Sequence, residues 1–196
     1  MFRDVALFDD AYLAKRSCDP QVLQQVTLIT LELAREGREG RKIGTLFTVG
    51  DHAAVLARSR PLILDPLAGH PDEDKRVEDP NVRETLKELA QLDGAFVVSD
   101  AGVAVAACRF LSSSAEGIEL PLGLGSRHMA AASISAHTRA VAVVLSESSM
   151  VRIFDGGELV TEIIPELWML RQFGTQISGR ISKHFDDQIA VVSKEE

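Results

Sequence analysis

In the stretch NVRETLKELAQLDGAFVVSDAGVAVAACRF, residues 81–110, a helical pattern runs directly into two strand patterns. Asn81–Leu92 carries apolar residues at helical spacing, so that they share one face. These residues are Val82, Leu86, Leu89 and Ala90. Ala95–Val98 and Val103–Phe110 are apolar and flank the turn residues Ser99–Gly102, which predicts an antiparallel hairpin.

On the N-terminal side, the sequence predicts another helix and a buried strand. Asp19 suits the N-cap position and Pro20 the first helical position. Apolar residues follow at steps of three and four, at Val22, Leu23, Val26, Ile29 and Leu33. A charged turn with two glycines at residues 35–42 ends this helix, and Gly44–Asp51 is typical of a buried strand. Residues 61–80 are rich in Pro, Asp and Gly, which predicts a long surface loop.

On the C-terminal side, helix and strand patterns continue to alternate. We expect a loop at Ser112–Gly125 and an Ala-rich helix at Arg127–Thr138. A buried strand follows at Ala140–Leu145, and a second hairpin at Val151–Ile163. The sequence also predicts a last helix at Pro165–Phe173. The tail has weak periodicity, and Ile189–Val192 either adds a strand or belongs to a loosely ordered end.

The alternation of elements, together with the hairpins, predicts the architecture. Hairpins beside helix–strand alternation indicate an α/β or α+β fold, in which a mixed central β-sheet is flanked by helices. The length of 196 residues suits a single globular domain.

Charge and cysteine content exclude several classes of protein. Lys and Arg number 21 against 29 Asp and Glu, and the net charge of -8 repels polyanions, so we expect no nucleic-acid partner. Cys18 and Cys108 fit neither a disulfide framework nor zinc spacing, which favours a reducing, cytoplasmic compartment. The longest apolar runs have the length of strands, whereas a membrane helix needs about 20 apolar residues, so we expect no membrane association.

A carboxylate marks the boundary between the predicted helix and the first strand of the hairpin. Asp93 and Gly94 follow the helix and precede Ala95. One interpretation is a helix C-cap, with Gly94 left-handed and Asp93 merely solvated. The other is a carboxylate at a sheet edge that binds a metal or accepts a proton.

A glycine-rich loop, Gly123–Gly125, runs into the next helix, with Ser126 as the expected N-cap. Arg127 and His128 follow in the first turn, where cations oppose the helix dipole. An anionic ligand such as phosphate resolves this conflict. The alternative is an ordinary capped helix with two exposed cations. A further acid, Glu147, follows the strand Ala140–Leu145, and an acid at a strand end is only weak evidence for a ligand site.

These segments together resemble diadenylate cyclase domains, the nucleotide-binding domain also found at the N-terminus of the DNA-integrity-scanning protein. The segments that occur in the family's order are Asp93-Gly94-Ala95, Ala106-Ala107-Cys108, Gly125-Ser126-Arg127-His128, Ala130-Ala131, Ser133-Ile134-Ser135, Ser146-Glu147 and Gly157-Glu158-Leu159. Glu36–Gly40 and Gly44–Phe47 are similar to the family's N-terminal part, and the resemblance covers about Leu31 to Pro165. It divides the chain into an N-terminal helical segment packed on the domain (1–42), the cyclase-like domain (43–165) and a C-terminal helix and tail (166–196).

The resemblance implies condensation of two ATP into cyclic di-AMP with release of two pyrophosphates. It implies Mg²⁺ or Mn²⁺, and a homo-oligomer in which two domains face each other. Asp93 would hold the metal and help to activate the attacking hydroxyl. Arg127, His128 and the helix start at Ser126 would hold the phosphates. The implied ATP contacts are Asp93, Gly94, Ala95, Phe110, Gly125, Ser126, Arg127, His128 and Glu147.

Three of these residues have further implied roles. Gly94 would let the backbone approach the nucleoside. Phe110 would read the adenine edge through its backbone, with its ring beside the base. Glu147 would lie near the metal or the polyphosphate.

Two departures from the family pattern keep a second function open. Met129 stands where many members have a second Arg, and Ser148 stands where some have a second Glu. Each removes a charged group that could hold the polyphosphate or metal. The alternative to a cyclase is therefore a catalytically weak or inactive module that senses ATP or cyclic di-AMP.

Overall fold

The computed structural model describes residues 17–114, 117–164, 181–185 and 190–194. Its helices are α1 (Pro20–Glu36), α2 (His52–Ala57), α3 (Pro80–Leu89) and α4 (Ser126–His137), with a short 3₁₀ helix at Asp72–Lys75. Its strands are β1 (Thr45–Val49), β2 (Ser59–Pro61), β3 (Ala95–Val98), β4 (Ala104–Leu111), β5 (Val141–Leu145), β6 (Val151–Asp155), β7 (Glu158–Ile163), β8 (Ile181–Phe185) and β9 (Ala190–Lys194).

Within the described residues, strands β1 to β7 form one sheet in the order β2-β4-β3-β1-β5-β6-β7. Strands β1 and β3 are parallel, and every other neighbouring pair of this sheet is antiparallel. The mixed sheet is therefore confirmed, and so are the hairpins β3–β4 and β6–β7. Strands β8 and β9 pair separately as an antiparallel hairpin.

Helices cover both faces of the sheet because the central strands alternate their side chains between two cores. Phe47 of β1 and Phe96 of β3 point to the face covered by α1, and their rings stack with centroids 4.6 Å apart. Leu46 and Val97 point to the opposite face, which α4 covers with alanines and Ile134. Strands β1, β3 and β5 are consequently buried along their whole length.

The start of α1 follows from local chemistry. The Asp19 carboxylate accepts hydrogen bonds from the backbone N–H groups of Gln21 and Val22, and Pro20 occupies the first helical position, as predicted. Between α1 and α3 lies an ion-pair network. The buried ammonium group of Lys87 lies 3.2 Å from Glu32, 3.3 Å from Glu36 and 2.6 Å from Glu84.

Some elements differ from the sequence expectation. Residues 61–80 contain the 3₁₀ helix and buried side chains, because the Asp65 carboxylate accepts a hydrogen bond from the Ala107 N–H and Val77 donates one to Gly102. Helix α2 and strand β2, which were not predicted, are six and three residues long, too short for a clear periodicity. Strand β9 begins at Ala190, one residue after the start of the predicted segment 189–192, and the helix predicted at 165–173 lies outside the described residues. None of the helices described is both long and apolar enough to span a bilayer.

Candidate active site

The position of Asp93 is set by a close approach between β3 and β4. Gly94 has φ +110°, and a Cβ there would lie 2.6 Å from the carbonyl carbon of Cys108. Cys108 itself has φ +53°, at a register shift between the two strands. Only glycine fits this contact. The C-cap interpretation of Gly94 is wrong, because α3 already ends at Leu89 with Ala90 as its C-cap.

The start of α4 differs by one residue from the expectation. Gly125 is the N-cap and Ser126 is the first helical residue, so the prediction of Ser126 as the N-cap is wrong. The first N–H groups of a helix have no acceptor within the helix. No side chain among the described residues caps those of α4, which leaves this helix end suited to an anion.

Arg127 connects the two acids that the sequence singled out. Its Nη2 lies 3.9 Å from Asp93 Oδ1, and its Nη1 lies 3.5 Å from Glu147 Oε1. The two carboxylate side chains are 82 % and 75 % exposed, and pairs of this kind contribute roughly 0–1 kcal/mol to stability. The fold thus gains little from these contacts, and the three groups are free to turn towards a ligand.

Gly44, immediately before β1, provides the space for this arrangement. A Cβ at position 44 would lie 2.6 Å from Arg127 Nη1 and 3.3 Å from the Leu145 carbonyl oxygen. The guanidinium therefore lies against the glycine. The sequence assigned Gly44 no role in the site, although it placed a glycine at the entrance of a buried strand and included Gly44–Phe47 in the family resemblance.

Beside Asp93 and Arg127 lies a cleft of about 320 Å³, which we call the apolar cleft. Its lining is Leu46, Leu62, Asp93, Gly94, Ala95, Arg109, Phe110, Leu111, Ser113, Ser126, Arg127 and Ala130. Phe110 is 43 % exposed, and the Arg60 guanidinium carbon lies 4.5 Å from the ring centroid. Such an aromatic wall suits a flat, weakly polar group such as a nucleobase.

His128 lies elsewhere, although it is next to Arg127 in sequence. Its buried ring has Nε2 at 3.2 Å from Arg152 Nη1, and it meets Phe154 edge-on with centroids 6.2 Å apart. Burial, followed by the charges of Arg152 and Arg127, lowers the pKa of His128 below its ordinary value. Because its pKa is lowered, the imidazole is neutral near neutral pH. His128 is also absent from the lining of the apolar cleft.

The sequence model of the DisA bacterial checkpoint controller nucleotide-binding family, DAC, matches residues 32–159. This range contains Asp93, Arg127 and Glu147. The chain belongs to the DAC family.

Two relatives agree with this assignment. A diadenylate cyclase of Haloferax volcanii is 46% identical over 156 residues, which are 79% of this chain and 57% of the relative. A diadenylate cyclase of Methanocaldococcus jannaschii is 45% identical over 146 residues, or 74% of this chain and 46% of the relative. The chain spans about half the length of these curated DAC relatives.

Solved structures support the fold. The hypothetical membrane spanning protein from Bacillus cereus matches with a TM-score of 0.55 and 21% identity, over 74% of this chain and 64% of that one. DacA from Staphylococcus aureus, solved as a double cysteine mutant, matches with a TM-score of 0.50 and 20% identity, over 76% and 90% of the two chains. At this level of identity the likeness concerns the fold alone.

The acids of this DAC domain suit a hard divalent cation. Asp93 and Glu147 lie on either side of one guanidinium, and both are solvent-exposed oxygen donors. Mg²⁺ typically takes one or two carboxylates together with phosphate oxygens and water. No group of three or more His, Cys, Asp or Glu side chains with metal-binding proximity occurs in the described part of the chain, and such an ion, completed by substrate oxygens, needs none.

Proposed function

We propose that this DAC domain is a diadenylate cyclase, which condenses two ATP into cyclic di-AMP with release of two pyrophosphates. The observation that carries the proposal is the Asp93–Arg127–Glu147 group, of which Asp93 and Arg127 line the apolar cleft. The names of the two relatives support the same reaction. In each of two steps, a 3′-hydroxyl oxygen forms a bond to the α-phosphorus of the other ATP. The bond from that phosphorus to the pyrophosphate oxygen breaks, and the hydroxyl proton is lost.

Each residue of the site has a task in this scheme. The apolar cleft takes the adenosine, with Phe110 beside the base and Gly94 and Ala95 beneath it. Arg127 turns from its two carboxylates to the phosphates, where a guanidinium forms stronger, charge-assisted hydrogen bonds. The uncapped N-terminus of α4 at Gly125 and Ser126 supports the same negative charge.

Asp93 accepts the hydroxyl proton or orients the hydroxyl for attack. With Glu147 it would also hold Mg²⁺ or Mn²⁺. Such an ion neutralises charge that develops on the phosphate oxygens. His128 contributes by fixing α4 against Arg152 rather than by touching the nucleotide.

One site holds one ATP, so the reaction needs a second copy of the domain facing the first. We propose a homo-oligomer as the active form, acting in the cytoplasm on free ATP. The two buried, unpaired cysteines are in keeping with a reducing compartment.

The test is incubation of the purified protein with ATP and Mn²⁺ or Mg²⁺, with the products separated by chromatography and identified by mass spectrometry. We expect cyclic di-AMP from the wild type. We expect none from Asp93→Asn, which keeps the shape of an exposed side chain and should leave the melting temperature unchanged. Full turnover by Asp93→Asn would remove this residue from the mechanism.

A second function, nucleotide sensing without turnover, is favoured by one residue. Met129 stands in the first turn of α4 where many family members carry a further Arg. A site with one cation fewer would hold the polyphosphate more loosely. Binding of ATP without product in the wild type, and product from Met129→Arg, would identify the chain as a sensor.

A further inference from the structure

A second cleft, of about 240 Å³, shares Asp93 and Arg127 with the lining of the apolar cleft. We call it the basic cleft. Besides these two residues, it is lined by Arg38, Arg41 and Lys42 of the segment between α1 and β1. The apolar cleft offers an aromatic and aliphatic wall, whereas the basic cleft offers cations. The two clefts are adjacent, because Arg127 and Asp93 line both.

A rigid turn presents the cations of the basic cleft. The Arg38 N–H donates to the Arg41 carbonyl at 2.9 Å, and the Arg41 N–H donates back at 2.8 Å. Between them Glu39 and Gly40 both have positive φ, +50° and +74°, the conformation of a tight two-residue turn. A Cβ at Gly37 would lie only 2.4 Å from the Arg41 carbonyl oxygen, so the chain before the turn packs closely against it.

The cations of the turn differ in their exposure and in their ion pairs. Arg38 is 11% exposed and pairs with Glu36, Glu84 and Glu88 at 3.2, 3.7 and 3.0 Å. Arg38 thus anchors the turn to α1 and α3. Arg41 and Lys42 are exposed, and neither forms an ion pair with any residue that the structure describes.

The charge of the basic cleft stands out against that of the chain. Arg41, Lys42 and Arg127 outweigh the acids of the lining, Glu39 and Asp93, although the protein as a whole carries -8. Two exposed cations of this kind, next to a cleft, are arranged for an anion. Arg127 offers a third cation to such an anion, because it also lines the basic cleft.

We propose that the basic cleft binds the β- and γ-phosphates of the nucleotide, and that after each transfer it holds the pyrophosphate. This inference rests on the proposed function, because it takes the adenosine to lie in the apolar cleft. A nucleotide that fills the apolar cleft has its α-phosphate at Asp93 and Arg127, and its remaining phosphates continue into the basic cleft. Arg41 and Lys42 bind these phosphates and neutralise the charge of the leaving group.

The experiment is calorimetric titration of the full chain with inorganic pyrophosphate and, separately, with AMP. The test variant is R41A/K42A. The matched control is R76A/R139A, which also removes two exposed cations, and these residues line neither cleft. We expect R41A/K42A to raise the Kd for pyrophosphate by about tenfold or more, as the loss of charge-assisted hydrogen bonds requires. We expect its Kd for AMP to change less than about twofold, and both values to be unchanged in the control.

Three results would overturn the inference. One is an equal pyrophosphate affinity in R41A/K42A and wild type. Another is an equal loss in R76A/R139A, which would reveal an effect of net charge alone. The third is a parallel loss of AMP affinity, which would indicate a distorted apolar cleft. The comparison does not depend on turnover. If the wild type bound pyrophosphate through Arg41 and Lys42 but formed no cyclic dinucleotide, the proposed function would fail and the basic cleft would be supported.

Discussion

Gly44→Ala tests whether the position of Arg127 depends on the space above this glycine. The added methyl carbon would lie 2.6 Å from Arg127 Nη1 and 3.1 Å from Cζ. It cannot retreat, because the Leu145 carbonyl oxygen is 3.3 Å away. The guanidinium must therefore move by about 0.8 Å, the difference between 2.6 Å and the 3.4 Å at which ordinary van der Waals contact begins.

This displacement should affect activity and leave the fold intact. The shifted atoms end a flexible side chain, so the displacement costs the fold little. A misplacement of about 1 Å can cost on the order of 100-fold in rate, and we take this as the upper limit for the expected fall in kcat/KM for cyclic di-AMP formation. Replacing Gly with Ala stabilises a chain by about 0.4–1 kcal/mol where the backbone permits it, and φ of Gly44 is not in the left-handed region. This gain offsets the crowding, and we expect a change in melting temperature within about 3 °C.

A double-mutant cycle separates this mechanism from general damage. Arg127→Ala alone is expected to weaken ATP binding. If Gly44 acts through Arg127, adding Gly44→Ala to that variant should have no further effect on ATP affinity or on residual turnover. An equal loss in both backgrounds, or wild-type activity in Gly44→Ala, would refute the reasoning.

Two further predictions concern stability. Lys87→Met removes a buried ammonium shared by three carboxylates, and we expect it to destabilise the fold by about 3 kcal/mol in denaturant titration. Lys75→Met, which removes a buried ammonium with one exposed partner, should cost clearly less, and equal costs would contradict a role for the network. The lowered pKa of His128 means that the unfolded chain binds a proton more readily than the folded chain. This contribution to stability is complete above the ordinary pKa of 6.5 and is lost as the pH falls towards the folded-state value. We expect the melting temperature of the wild type to fall more steeply than that of His128→Asn between about pH 7 and about pH 5, and identical slopes would rule this out.

Much of the fold was predictable because its signals are local. Asp19 marks the start of α1 because its carboxylate accepts hydrogen bonds from N–H groups within three residues. Pro20 marks the same point because it occupies the first helical position. The hairpins β3–β4 and β6–β7 follow from apolar runs around short turns. Signals of this kind failed for residues 61–80, because that segment is held by backbone groups of the distant strand β4 and the turn before it.

The candidate site was predictable by residue type and not by geometry. Asp93 was singled out as an acid at the boundary between a helix and a buried strand, and Arg127 and His128 as cations in a first helical turn, where they oppose the helix dipole. His128 was grouped with Arg127 because both belong to that turn and to the segment Gly125-Ser126-Arg127-His128 that carries the family resemblance. The structure separates them, since successive residues on a helix point about 100° apart and α4 buries one side against β6.

The sequence by itself determined most of the longer helices and strands, where α1 begins, and which residue types can carry phosphate chemistry. These properties depend on hydrophobic period and on hydrogen bonds between near neighbours. Only the tertiary structure decided that β1 runs parallel to β3 and antiparallel to β5, because a strand buried on both faces lacks the polar and apolar alternation that would fix its partner and register. The tertiary structure likewise decided that Gly44, Asp93 and Glu147 converge on Arg127. Their convergence is a property of the sheet order and of packing, which no local pattern contains.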